Sequence, residues 1–283
     1  MHLPDAQSDI PESKNTSTLP DFPEFPGTEN VLLPRDELLS DGEYFLEARN
    51  LHYAYPDGHS ALNGIDFTLK AGEKLALVGA NGSGKSTLML HLSGCIAAQK
   101  GEIRLRGNPV GNDLKSLRNA VGLIFQDPDD QLFMPQVLED VAFGLVAHGS
   151  GVPEAHEKAM ATLKMLGVEH LATRPPHRLS GGEKRMVALA GILVMDPDIV
   201  VLDEPSAALD PRARLRVIDV IRNLEKTLIL ATHDLDMALD VCERAIVLNR
   251  GNVSLDGRLP GLLQDERLLH ENGLELPLRY APF

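Results

Sequence analysis

The sequence predicts an α/β fold whose core is a parallel sheet with helices on both faces. Beyond Ser180, two near-continuous runs of Val, Ile and Leu, at 198–204 and 227–233, have the length of strands. They alternate with segments at 182–195 and 212–225 whose apolar residues recur at helical spacing. Strands without polar alternation are typical of sheets buried on both sides, and parallel strands need crossover helices. The alternation of the two segment types therefore predicts a doubly covered parallel sheet.

The first half of the chain has a different pattern. Between residues 44 and 126 short strand-like segments follow one another, each bounded by Gly, Pro, Asn or Asp. After Pro135, two segments at 137–149 and 153–166 carry apolar residues three and four positions apart, bracketed by Pro or Gly. These two segments predict a helical insertion.

Composition excludes several classes of protein. The chain has 283 residues, an ordinary apolar fraction of 43% and a net charge of −14. A membrane-spanning helix needs about 18 or more consecutive apolar residues, and the longest apolar runs here are strand-sized and interrupted by charge. The negative charge opposes binding to phosphate backbones, so we expect no nucleic-acid partner.

The two ends and the cysteines give further expectations. Residues 1–42 are rich in Pro, Ser and acid without an apolar period, which predicts a flexible acidic tail. Two cysteines provide no disulfide framework, and no secretory signal is readable, so we expect a cytoplasmic chain. Cys95 and Cys242 lie in apolar-periodic segments, which predicts buried or half-buried thiols.

A glycine-rich segment carries the clearest chemistry. Residues 79–87 fit G-x-x-x-x-G-K-[ST] directly after a predicted strand and before a predicted helix. Such a loop wraps a polyphosphate with backbone N–H groups, its lysine bridges the outer phosphates, and its hydroxyl binds Mg²⁺. The segment predicts a site for ATP and Mg²⁺ formed by Gly79, Asn81, Gly82, Ser83, Gly84, Lys85, Ser86 and Thr87.

Two adjacent acids complete the chemistry that this loop requires. Asp203 and Glu204 close the apolar run 199–202, and a magnesium–triphosphate site needs a carboxylate at a strand end. Strand alternation would point the two side chains in different directions. We therefore expect Asp203 to hold Mg²⁺ through water, while Glu204 acts as the general base toward the attacking water. Together the motifs define a P-loop NTPase.

The motif LSGGE at 179–183 narrows the class. Ser-x-x-Glu before an amphipathic helix is a capping box, and Ser180 with Glu183 is expected to cap this helix. Placed between the P-loop and VVLDEP, the motif also resembles the signature sequence of the ABC ATPase family. That resemblance implies that Ser180, Gly181 and Gly182 bind, in trans, the ATP held by the P-loop of a second ATPase subunit, which is either an identical chain or a close paralogue.

The resemblance, which covers roughly residues 44 to 250, assigns further residues. It implies that Tyr55 stacks on adenine, with Tyr53 as the other choice. It implies that Gln126 reaches Mg²⁺ and the attacking water, and that His233 contacts the γ-phosphate. Catalysis is then expected from Glu204, His233, Gln126 and Lys85, and magnesium binding from Ser86, Gln126 and Asp203.

The resemblance also implies an architecture. We expect a RecA-like core, an antiparallel β subdomain near the N terminus and a helical subdomain at about 135–180. The ATPase domain would span 43–255, followed by a C-terminal extension at 256–283.

Within the family, QDPDDQLF after Gln126 and HENGLELPL near the end are similar to energy-coupling factor importers, particularly the cobalt and nickel branch. This similarity implies a transmembrane coupling protein, a small substrate-binding membrane subunit and a peripheral place on the cytoplasmic face of the cell membrane. Importers of biotin or another vitamin remain an alternative, as does an ABC ATPase outside transport. Such proteins carry tandem cassettes or a long coiled-coil insertion, and neither is present in this sequence. A subunit that binds ATP without turnover would tolerate loss of Glu204, which is present.

Overall fold

A computed structural model describes residues 45–280. The predicted tail at 1–42 lies outside the described residues, as do the last three residues of the predicted extension. The described strands are, in chain order, β1 (Leu46–Ala54), β2 (Ser60–Leu69), β3 (Lys74–Val78), β4 (Lys100–Leu105), β5 (Asn108–Pro109), β6 (Val121–Ile124), β7 (Ile199–Asp203), β8 (Thr227–Ala231), β9 (Arg244–Asn249) and β10 (Asn252–Arg258).

Helices connect and cover these strands. In the described part of the chain they are α1 (Lys85–Leu92), α2 (Lys115–Ala120), α3 (Val137–Ala147), α4 (Val152–Met165), α5 (Gly181–Leu193), α6 (Pro211–Asn223), α7 (Leu235–Val241), α8 (Leu259–Leu262) and α9 (Glu266–Glu271).

The strands form two sheets, as the family resemblance implies. One is a four-stranded antiparallel sheet in the order β2-β1-β4-β5. The other has six strands in the order β10-β9-β3-β8-β7-β6, and its neighbours are parallel except for the hairpin of β9 and β10. The P-loop strand β3 therefore lies inside the sheet, between β8 and β9.

The six-stranded sheet is buried on both faces, which explains its unbroken apolar strands. Along β3, Leu75 and Leu77 face one apolar cluster while Ala76 and Val78 face the other. The cluster around Leu75 also contains the inner face of the antiparallel sheet and of α1. Since successive side chains of a strand point to opposite faces, every position of β3 from Leu75 to Val78 needs an apolar residue.

The segment after Pro135 is helical, as its spacing predicts. The helix α4 buries Ala155, Ala159 and Leu163, one residue per turn, against the apolar cluster that also holds α3 and α5. The helix α5 then runs from this helical layer to the edge of the parallel sheet, where it packs beside β6. It is the structural link between the two parts.

A mostly buried arginine joins the two sheets. The guanidinium of Arg244 on β9 binds both carboxylate oxygens of Asp256 at 2.6 Å and donates at 3.0 Å to Glu73. It also donates at 3.1 Å to the carbonyl oxygen of Thr68 on β2. Removal of the arginine would leave two carboxylates without their cation in a mostly buried place, which is strongly destabilising.

The cysteine prediction is half correct. Cys242 is buried, and burial raises the pKa of its thiol above the usual range. Cys95 is exposed, which contradicts the expectation of a buried or half-buried thiol. It lies three residues beyond the end of α1, where the helical period no longer applies.

Candidate nucleotide site

The P-loop joins the end of β3 to the start of α1. Gly82 and Gly84 have φ angles of 77° and 105°, which favour glycine. Gly84 also has no room for a side chain, because a Cβ atom there would lie 2.6 Å from the carbonyl oxygen of Ala61. Lys85 is the first residue of α1, so the loop places the free N–H groups of a helix N terminus at its mouth.

The side chain of Lys85 folds back into the loop. Its Nζ atom donates to the carbonyl oxygens of Gly79 at 2.6 Å and of Ala80 at 3.1 Å. Burial lowers the pKa of this ammonium, and the charges of Glu204 and Asp203 oppose that change. A cation enclosed by carbonyl oxygens, with two carboxylates nearby, is prepared to exchange those weak partners for phosphate oxygens.

Ser86 and Asp203 form the candidate magnesium position. The hydroxyl of Ser86 donates to Oδ2 of Asp203 at 3.2 Å, although the two residues lie on different elements. Burial raises the pKa of Asp203, and the hydrogen bond from Ser86 counteracts it. A hydroxyl and a carboxylate side by side are oxygen donors of the kind that Mg²⁺ uses with phosphates, so the residues fit the predicted ion.

Glu204 is placed by the backbone rather than by strand alternation. The strand β7 ends at Asp203, and Glu204 takes a left-handed φ of 44° that costs a non-glycine residue about 1–2 kcal/mol. The expectation that alternation separates the two acids was therefore wrong in its cause. Glu204 is 7% exposed, and its carboxylate accepts hydrogen bonds from the Thr232 hydroxyl at 3.0 Å and from the backbone N–H of His233 at 2.9 Å.

His233 lies against this same carboxylate. Its Nδ1 atom is 2.8 Å from Oε1 of Glu204, while most of the imidazole remains exposed. The next residue, Asp234, caps α7 by accepting from the N–H of Met237 at 3.0 Å, and Arg214 binds it at 2.6 Å. The histidine is thus held between a buried acid and a fixed helix start.

The two tyrosines differ in their surroundings. The hydroxyl of Tyr55 is 2.9 Å from Oγ1 of Thr87 in the P-loop helix. Tyr53 packs against the apolar cluster, with its ring centroid 4.7 Å from that of His91 in an edge-to-face arrangement. Tyr55 therefore borders the nucleotide loop, whereas Tyr53 contributes to the core.

Gln126 lies at the sheet edge but not inside its strand. The strand β6 ends at Ile124, and the side chain of Gln126 is exposed. Its backbone oxygen accepts a hydrogen bond from Nη1 of Arg185 at 2.6 Å. Sequence reasoning did not single out Arg185, although a charged residue one turn before Leu189 on a buried helix face was a detectable signal.

The LSGGE segment forms the predicted helix cap. The N–H of Ser180 donates to the carboxylate of Glu183 at 2.8 Å, and the N–H of Glu183 returns a bond to the Ser180 hydroxyl at 3.4 Å. Ser180 and Gly181 are exposed. The first turn of α5 therefore presents free backbone N–H groups at the surface.

A cavity of about 760 Å³ opens beside the P-loop. It is bounded on one side by Asn81 and Ser83 and on the other by the C-terminal residues 270–273. Asp203, Glu204 and His233 do not line it, so the cavity borders the nucleotide loop on the side away from the acids. The loop N–H groups, Lys85 and the acids define a position for the reacting phosphate that lies outside this cavity.

Among residues 45–280, no helix combines the length and the apolar character that a membrane crossing requires.

The fold and these contacts define a P-loop nucleotide hydrolase with a separate signature helix. A protein-family model described as "ABC transporter" matches residues 62–207. The energy-coupling factor transporter ATP-binding protein EcfA of Methanocaldococcus jannaschii is 42% identical over 240 residues, covering 83% of this chain and 86% of the relative. Its counterpart in Carboxydothermus hydrogenoformans is 43% identical, covering 82% and 87%.

Solved structures agree. CbiO1 from Clostridium perfringens, part of the ABC transporter complex CbiONQ, is 37% identical with a TM-score of 0.72, covering 81% of this chain and 94% of the other. A dimeric ATP-binding cassette in a post-hydrolysis state with ADP and Pi is 28% identical with a TM-score of 0.68, covering 76% and 98%. The chain belongs to the ABC transporter family, as an ATP-binding subunit that hydrolyses ATP.

Proposed function

We propose that this chain is the motor of an energy-coupling factor importer for a transition-metal ion, cobalt or nickel. The observation that carries the motor function in this proposal is the pair of contacts at the ends of β7 and β8. Ser86 meets Asp203 at 3.2 Å, and Glu204 meets His233 at 2.8 Å, with the charge of Lys85 close to both acids. This arrangement suits hydrolysis, and not only binding, of a nucleoside triphosphate.

The substrate ATP would be held by residues of three elements. The loop from Gly79 to Gly84 and the start of α1 would bind the phosphates, with Lys85 on the outer ones. Tyr55 would stack on the adenine, a contact that an aromatic ring supplies without regard to base identity. Its hydroxyl bond to Thr87 fixes the ring beside the loop.

Ser86, Gln126 and Asp203 would hold Mg²⁺, with Asp203 acting through water. When bound, the ion neutralises charge on the phosphate oxygens. The side chain of Asp203 already faces Ser86, and the side chain of Gln126 is exposed at the edge of the same sheet.

Glu204 would take a proton from the attacking water. A carboxylate has about four acceptor positions, and three are used by Thr232 and by the two groups of His233. One position is left for the water. The same hydrogen bonds fix the direction of the carboxylate, which shortens the search for a productive geometry.

His233 would contact the γ-phosphate and so detect its presence. While Nδ1 donates to Glu204, the neutral ring can only accept at Nε2. A ring that donates to Glu204 at Nδ1 and to a phosphate oxygen at Nε2 must carry a proton on both nitrogens. The histidine would thus connect the base to the reacting group.

The second half of the site would come from another subunit, an identical chain or a paralogue. Its exposed Ser180 and Gly181, with Gly182, would donate to the γ-phosphate held by this chain. Two ATP molecules would bridge the dimer, and hydrolysis would remove the bridge. The released dimer could then open.

The cargo and the partners are inferred from relatives. The EcfA proteins are named as energy-coupling factor transporter subunits, and CbiO1 is part of CbiONQ. We propose that this subunit lies on the cytoplasmic face of the cell membrane with a transmembrane coupling protein and a small substrate-binding membrane subunit. Residues 43–255 would form the ATPase domain with a helical subdomain at about 135–180, and 256–283 an extension.

Uptake by the reconstituted complex tests the proposal. The tagged subunit is purified from its native membrane, its partners are identified, and ATP-driven uptake of labelled Co²⁺ and Ni²⁺ is measured in vesicles. Metal uptake that stops in the Glu204→Gln complex is the expected result. ATP hydrolysis without metal uptake would reject cobalt and nickel as substrates but retain the transport ATPase function. Uptake of biotin and other vitamins would then be measured.

A further inference from the structure

A buried arginine on the signature helix holds the backbone that carries Gln126. Arg185, 5% exposed, lies on the first half of α5. Its Nη1 atom donates to the carbonyl oxygen of Phe125 at 3.0 Å and to that of Gln126 at 2.6 Å. The two segments are 59 residues apart in sequence, so the contact is tertiary.

Burial of this arginine is energetically unfavourable. Among the described residues no carboxylate lies within 4.0 Å of its guanidinium, and its Nε atom has no hydrogen-bond partner there. Burial lowers its pKa, while the charges of Asp127 and Asp203 raise it. An unpaired buried donor costs about 1–3 kcal/mol, and such costs are typical of functional places. A leucine or methionine would pack here without that cost.

Two neighbouring contacts hold the same segment. Lys184 binds both carboxylate oxygens of Asp129, at 2.6 and 2.7 Å. The amide of Gln131 donates to the carbonyl oxygen of Ala188 at 3.4 Å. Residues 125–131 are therefore attached to α5 along more than one turn. Among the side chains of residues 45–280, Arg185 is the one that bonds the two peptide groups flanking the Cα of Gln126.

We propose that Arg185 is a positioning residue that fixes Gln126 to the helix beginning at Ser180. The inference rests on the proposed role of Gln126 in hydrolysis. Five residues of helix span about 7.5 Å, so Arg185 lies little more than one turn from the first N–H groups of α5. A rigid helix that engages the second subunit at Ser180 would carry the Gln126 backbone with it. Without the arginine, the side chain of Gln126 would still be present, but its position relative to the nucleotide site would no longer be fixed.

Kinetics and hydrogen exchange on the full-length chain test the inference. Arg185→Met removes both hydrogen bonds. Arg185→Lys keeps the positive charge but lacks the planar guanidinium, and it replaces the first variant if Arg185→Met does not fold. We expect kcat to fall by about 10- to 100-fold, the scale of a misplacement near 1 Å, with the KM for ATP within about threefold. Amide exchange at 125–131 should become faster.

Arg216→Lys is the matched control. Arg216 also donates from a helix to two consecutive carbonyl oxygens, those of Leu166 and Gly167, but far along the chain from Gln126. Its replacement should change exchange near residue 167 and leave kcat and the 125–131 amides unchanged. Melting temperatures of all variants identify any general loss of stability.

The double variant with Gln126→Ala separates the possible outcomes. If Arg185 acts through Gln126, Arg185→Met in the Gln126→Ala background should cause no further loss of kcat. Losses that multiply, or unchanged exchange at 125–131, would overturn the positioning role while leaving Gln126 in the mechanism. An unchanged kcat for Gln126→Ala alone would instead remove Gln126 from the proposed function, and Arg185 with it.

Discussion

The imidazole of His233 and the carboxylate of Glu204 meet at 2.8 Å between Nδ1 and Oε1. The backbone N–H of His233 bonds the same oxygen at 2.9 Å. These residues are 29 positions apart in sequence, but they follow β7 and β8, which are neighbours in the sheet. The proposed base and the proposed phosphate sensor are therefore one hydrogen-bonded unit, and a change in either is expected to affect both.

Replacing Glu204 with Gln tests the base. The amide keeps the shape and can still accept at its oxygen, but it cannot take a proton from water. We expect ATP binding to remain and hydrolysis to fall about 10²-fold or more, measured by phosphate release. Gel filtration with ATP should show a trapped dimer. Glu225→Gln, at an exposed position, is the control, and hydrolysis unaffected in Glu204→Gln would remove the base assignment.

Replacing Lys85 with Met tests phosphate binding. Binding of ATP to the folded chain at about 100 times Kd adds about 2.7 kcal/mol to the free energy of unfolding. The variant should lose this stabilisation, since the cation that faces the phosphates is gone. Thermal melting with and without Mg-ATP measures the difference. Lys158→Met, on an exposed face of α4, should retain the full shift, and a full shift in Lys85→Met would contradict the assignment.

The two tyrosines can be separated by the same type of experiment. Tyr55→Ala should raise the KM for ATP about tenfold, because stacking on a base contributes about 1–3 kcal/mol. Tyr55→Phe should keep most of the affinity. Tyr53→Ala should mainly lower the melting temperature, because Tyr53 packs against His91 and the core. The reverse pattern would make Tyr53 the adenine contact.

The two signature glycines should respond differently to alanine. A Cβ atom on Gly182 would lie 2.7 Å from Cβ of Ala213, whereas one on Gly181 would meet its nearest neighbour, Cδ2 of Leu209, at 3.6 Å. We expect Gly182→Ala to lower the free energy of unfolding by about 1–3 kcal/mol. Gly181→Ala should retain stability but weaken ATP-driven dimerisation, if that surface meets the second nucleotide. Denaturant unfolding and gel filtration measure the two effects.

The thiols provide a test of the fold. Cys95 is exposed to reagents, whereas Cys242 is buried and desolvation raises the pKa of its thiol. A thiol reagent at neutral pH should modify one of the two cysteines quickly in the native chain and the second only after unfolding. Cys95→Ser should remove the fast phase. A fast phase that survives would show that Cys242 is accessible.

The sequence predicted most of the sheet because the buried strands carry their own signal. Strands β7 and β8 carry apolar residues at every position except Asp203 and Thr227 at their ends, and the P-loop residues match a pattern that few other structures require. The capping box at Ser180 is local and was predicted for the same reason. The exposed position of Cys95 was missed, because an apolar period does not show where a helix ends.

Tertiary contacts explain what the sequence could not predict. The left-handed backbone of Glu204 depends on a hydrogen bond from its N–H to the carbonyl oxygen of Ala231, on a strand far along the chain. The sequence marks Arg185 only as a charged residue on a buried helix face, and its carbonyl partners at 125 and 126 become known only from the fold. The roles of Gln126, Tyr55 and the signature residues stay predictions that the experiments above address.

The central place of β3 has a consequence for synthesis of the chain. Lys74 pairs with Leu228, and Leu75 pairs with Arg244, so both neighbours of this strand are made roughly 150 residues after it. Closing loops of that length costs entropy that only the completed sheet repays. A nascent chain that ends before residue 244 holds every residue of the nucleotide loop but lacks β9, one of the two strands that flank β3. Translation must therefore pass both β8 and β9 before the completed loop is expected to bind ATP.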